Sequence, residues 1–187
     1  MSRPGGNSLT TTNVGTVTTA STTVAEEHGD AFYHITKLTL TNFAVGTGGD
    51  SENLAIGAQV YAFPASGAIM VLDGSISGIF DQTSHGTISG GEVGLGTTTG
   101  TGAAATLSTT MENIFDGGNG GVLSSYVLGT GVVNAGGISG GSAGTLKIAT
   151  GGTKTVFLNI AAAWPNIAAA EAVKFTGTVT LRWRIIS

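Results

Sequence analysis

Apolar residues recur at every second position through much of this chain. The clearest run is KFTGTVTLRWRIIS (174–187), where Phe175, Gly177, Val179, Leu181, Trp183 and Ile185 share one parity and Lys174, Thr176, Thr178, Thr180, Arg182 and Arg184 the other. Side chains alternate across a strand, so the pattern predicts a half-buried strand. Phe175, Val179, Leu181 and Trp183 are expected in the core, with Gly177 at a bend or close approach. AFYHITKLTLTNF (31–43), dense in β-branched and aromatic residues, reads as another strand, and VGTGGDSEN (45–53) as a loop. In LAIGAQVYAF (54–63), Leu54, Ile56, Ala58, Val60 and Ala62 fall on one side. After the break at Pro64 and Gly67, AIMVLDGSISGIF (68–80) is either one long bent strand or two strands meeting at Asp73-Gly74.

Residues 81–152 are short apolar runs between Gly-rich turns (EVGLGT, AAATL, MENIF, VLSSYVLG, GVVNAGGI, TLKIA), at the spacing of a sandwich or barrel. KTVFLNIAAAW (154–164) is a strand with Val156, Leu158 and Ile160 on one face, and WPNIAAAEAV (164–173) reads as either a helical turn or an irregular crossover. Residues 1–30 hold too few large apolar side chains for a core and are expected as a Thr/Ser-rich N-terminal arm, ending in the acidic hinge EEHGD (26–30). Residues 31–187 are expected as a single all-β domain, a β-sandwich or jelly-roll-like body.

Composition sharpens this picture. Charged residues make up 10% of the chain against a usual ~25%, and there are 32 Gly, so Thr hydroxyls cover the surface that charge leaves bare. With a net charge of −4 and scattered cations, a phosphate-binding surface is not expected, so nucleic acid is set aside as a partner. The absence of Cys removes disulfides, thiolate metal sites and thiol nucleophiles. No apolar run is long enough for a membrane span, the first residues do not form a signal peptide, and there is no N-x-[ST] sequon.

Candidate chemistry is sparse. GISGG (137–141) fits the spacing of a nucleophile elbow around Ser139, yet His28, His34 and His85 all precede it and a strand rather than a helix follows. GLGTTTG (94–100) lacks the Lys-Ser/Thr ending of a phosphate loop and reads as strand and turn. Glu26, Glu27, His28 and Asp30 are potential cation donors, as are Asp116 and Asn119 in DGGNGG, but a solvated hinge and a tight turn account for them better. Thr-x-Thr occurs only locally, short of the fixed ladder that ordered water would need. No catalytic, cofactor or metal site is expected, and the protein is not expected to be an enzyme.

Taken in order, AFYHITKLTLTNF, LAIGAQVYAFPASGAIMVLDGSISGIF, EVGLGT, MENIFDG and KTVFLNIAAAW...AVKFTGTVTLRWRIIS resemble the small β-rich capsid decoration (head cement) proteins of tailed bacteriophages. The resemblance covers most of the chain from about residue 31. It implies a virion protein on the outer capsid surface, with the major capsid protein as partner and a homotrimer as the expected oligomer. The alternative is a receptor-binding head fibre or spike tip, for which Trp164, Tyr126 and Phe115 are the aromatic candidates. The candidate interface residues are Arg182 and Arg184 on the polar face of the last strand, and Glu26 and Glu27 in EEHGD.

Overall fold

In a computed structural model, the described residues are 15–17, 23–30, 33–47, 55–81, 87–88, 92–103, 106–108, 110–116, 126–127, 133–136, 146–161 and 172–186. Among them there is no helix. The strands are β1 (Thr23–Gly29), β2 (Tyr33–Thr47), β3 (Ile56–Ala62), β4 (Ala68–Asp81), β5 (Thr87–Ile88), β6 (Val93–Gly96), β7 (Phe115–Asp116), β8 (Tyr126–Val127), β9 (Val133–Gly136), β10 (Leu146–Ile148), β11 (Thr155–Ile160) and β12 (Ala172–Ile186). A large antiparallel sheet runs β1-β2-β12-β4-β10, with β9 also on β4; a smaller one runs β3-β11-β6-β7; β5 pairs with β8. The large and small sheets pack face to face as a β-sandwich around one core.

β12 sits at the centre of the large sheet and follows the expected alternation. Phe175, Val179, Leu181 and Trp183 are buried, while Arg182 and Arg184 are exposed. Gly177 lies opposite Gly78 of β4, at a close approach. A Cβ on Gly177 would sit 2.3 Å from the Ser77 carbonyl and 2.7 Å from the Phe175 ring, so only the Gly pair lets that ring lie across the two strands.

Three strands depart from simple alternation, each through a bulge. In β2 the buried positions are His34, Thr36, Leu38 and Leu40, then Phe43 and Val45. The slip falls where Phe175 pairs with Phe43 but Gly177 with Leu40. Asn42 there adopts φ 51°, a left-handed conformation that Asn tolerates, and its N–H donates to Thr176 Oγ1 at 2.9 Å. The same strand continues to Thr47, through the start of the segment expected as a loop.

In β3 the pairing with β11 slips between Val156, opposite Tyr61, and Phe157, opposite Gln59. Val60 and Tyr61 are both buried as a result, and the inward parity passes from Ile56 and Ala58 to Tyr61 and Phe63, correcting the expectation that Ala62 continues the core face. β4 is one bent strand, not two. Arg182 pairs with Asp73 and Trp183 with Val71, so Leu72 is the extra residue and the inward parity moves from Ile69 and Val71 to Gly74 and Ile76.

Candidate functional site

The outer faces of the two sheets are finished differently. β6 is buried at all four positions: Val93 and Leu95 enter the core, while Gly94 and Gly96 admit the segment around Met111 and Glu112 against the sheet's back. A Cβ on Gly96 would come 2.2 Å from the Met111 carbonyl carbon. Asn159 of β11, fully buried on this back face, accepts from Gly100 N–H (2.7 Å) and donates to the carbonyls of Thr98 (3.0 Å) and Met111 (2.6 Å). Leu107, Ala55 and Ala161 form a satellite cluster under this cover, with Met111 against it.

The outer face of the large sheet carries side chains in register rows and no such cover among the described residues. Thr39, Thr178 and Ser77 form one row across β2, β12 and β4; Lys37, Thr180 and Ser75 form the next. Towards the end of β12 the hydroxyls give way to Ile35, Arg182 and Asp73, then to Tyr33, Arg184 and Met70. Arg182 forms an ion pair with Asp73 of its own chain, with the two side chains 49% and 33% exposed. Solvent screening at such exposure keeps a pair of this kind at roughly 0–1 kcal/mol.

At one long edge of the sandwich the N-terminal segment closes the seam between the sheets. β1 pairs with β2 of the large sheet, and Thr16 bridges Ala62 of the small sheet through two 2.8 Å backbone bonds. Tyr61 lies between them: its hydroxyl donates to Glu27 Oε1 and accepts from Gly15 N–H at 2.9 Å. The Thr36 hydroxyl donates to Glu27 Oε2 at 2.8 Å and accepts from the Trp183 indole N–H at 2.8 Å. His34, fully buried, stacks on Trp183 with centroids 3.9 Å apart. Burial and then the Glu27 carboxylate push the Tyr61 phenol well above its ordinary value, so it remains a donor.

The four candidate interface residues therefore divide. Arg182 and Arg184 stand on the open face, as expected from their parity. Glu27 is turned into the seam, so it is a structural acceptor and not an outward contact. Glu26 lies opposite Lys37 in the β1–β2 register. Within EEHGD, residues 26–29 are thus paired strand, with the Glu27 carboxylate held by two hydroxyl donors of the body, while His28, Gly29 and Asp30 stay exposed. Among the described residues no group of three or more His, Cys, Asp or Glu is placed to hold a metal ion. Phe115 is fully buried beside Leu95, which removes it from the aromatic candidates of a receptor-binding tip; Trp164, Ser139 and Asn119 lie outside the described residues.

Tyr61, Asp73 and Tyr33 carry much of this surface and seam, and parity alone did not single them out. Thr36 and His34 had a visible signal: they share the parity of Leu38 and Leu40, so a polar inward pair was legible. Comparison of the chain with protein-family models, with curated proteins and with solved structures finds no match.

Proposed function

We propose that this protein is a virion structural protein that binds the outer surface of an assembled tailed-phage capsid and stabilises it as a decoration, or cement, protein. The observation that carries this reading is the asymmetry of the sandwich: one sheet's back is sealed by its own loops, while the other is a broad hydroxyl-rich face, with Lys37, Arg182 and Arg184 on it, that no described residue seals in the same way. The ordered resemblance of its segments to phage head cement proteins points the same way. The major capsid protein is the partner and a homotrimer the working assembly.

Mechanism follows from linkage. A footprint that exists only where capsid subunits meet is bound only in the assembled shell, and binding one state of an equilibrium favours that state. Joining several copies raises the occupancy of each without any new contact. The contribution is contact and not bond chemistry. The test is cryo-EM of expanded empty capsids incubated with the purified protein. Regular density over the shell is expected; a bare shell, with binding confined to cells or a glycan, overturns the reading in favour of a receptor-binding module.

A further inference from the structure

The open face of the large sheet is not uniform along its length. At the β12 C-terminal end, register places Tyr33, Arg184, Met70 and Lys147 in one row across β2, β12, β4 and β10. Strands stand ~4.8 Å apart, so Arg184 and Lys147, both exposed, are roughly 10 Å from one another with Met70 between them. Tyr33, at 39% exposure, is the exposed large apolar side chain among the described residues. The β4 bulge adds Leu72, half-buried, to this end. In the neighbouring row the Asp73 carboxylate is occupied by Arg182, so among the described residues nothing bonds Arg184. The row of Thr39, Thr178 and Ser77, further along the face, has neither charge nor large apolar area, and beyond it Lys174 of β12 lies opposite Asp81 of β4.

From this difference we infer that the Tyr33–Arg184–Met70–Lys147 row is the partner-binding part of the face, and that it takes a protein surface presenting carboxylates beside an exposed apolar side chain. Two cations set about an apolar centre, in a chain whose net charge is −4, complement such a surface and repel a basic one. Arg184 supplies a planar fork suited to a carboxylate, Lys147 a second cation, and Tyr33 an amphipathic contact. Resting on the decoration reading, the inference identifies that partner surface as an acidic patch of the capsid shell.

The test uses two arms with one pair of variants. Arg184→Glu/Lys147→Glu reverses the row; Thr39→Glu alters a different row of the same face. In the first arm, co-sedimentation with expanded empty capsids is expected to fall at least about tenfold for the double variant and to be unchanged for Thr39→Glu. In the second, an immobilised random copolymer of Glu and Tyr is expected to retain the wild type, release it with rising salt, and fail to retain the double variant. Equal behaviour of the double variant and wild type on the copolymer, equal binding of the two to capsids that the wild type decorates, or failure of the wild type to bind the copolymer, overturns the inference. Copolymer binding that depends on the row, with capsids left bare by the wild type, keeps the carboxylate-binding row and sinks the decoration reading instead. Circular dichroism melts, expected to coincide, exclude unfolding as the cause.

Discussion

The backs of the two sheets share strand chemistry but have opposite fates. On the small sheet, Gly94 and Gly96 remove the side chains that would hold a loop away, and Asn159 offers one acceptor and two donor hydrogens to the backbone that settles there. On the large sheet the corresponding positions are mostly Thr, Ser, Lys and Arg, which keep their own hydration, and the apolar side chains Ile35, Tyr33 and Met70 gather only towards the end of β12. Among the described residues, one back is therefore an extension of the core, and the other is a surface. Whether a sheet face is covered or stays open is decided here by Gly and one buried amide as much as by the residues that remain exposed.

Substitutions on the covered back should cost the most. Asn159→Ala leaves the Gly100 N–H and the Thr98 and Met111 carbonyls without their partner in a buried site, an expected loss of about 3 kcal/mol or more in urea unfolding, at ~1–3 kcal/mol per unsatisfied group. A loss below ~1 kcal/mol would show that the cover is loosely held and the contrast between the two backs overstated.

The seam should come next. Tyr61→Phe removes the donor to Glu27 and the acceptor for Gly15, with an expected loss of about 1–3 kcal/mol and faster proteolysis before residue 33. The raised phenol also gives this substitution a pH signature. Wild-type stability is fully present below the ordinary phenol value near 10 and falls as pH rises above it, whereas Tyr61→Phe lacks that loss, so the gap between the two should narrow above about pH 10. A gap that stays constant there would place the phenol outside the seam's energetics.

The smallest effect belongs to the open back. Asp73→Ala is expected to change stability by no more than ~1 kcal/mol, because both partners of the pair are well exposed. Thermal unfolding that shifts as much as for Asn159→Ala would erase the distinction between the two backs.

Much of this architecture is legible in the chain. Thr and β-branched alternation, Gly turns and the absence of long helical periods define an all-β body, and the parity of β12 correctly divides Trp183 from Arg182 and Arg184. Only the tertiary structure decided where that parity slips. The bulges at Asn42, Val60 and Leu72 arise from the fit between neighbouring strands, and a one-residue slip exchanges the two faces beyond it. That exchange brings Tyr61 inward to meet Glu27 and leaves Asp73 outward beside Arg182. The local sequence determined which residues alternate; the pairing of strands distant in the chain determined which face each one reached.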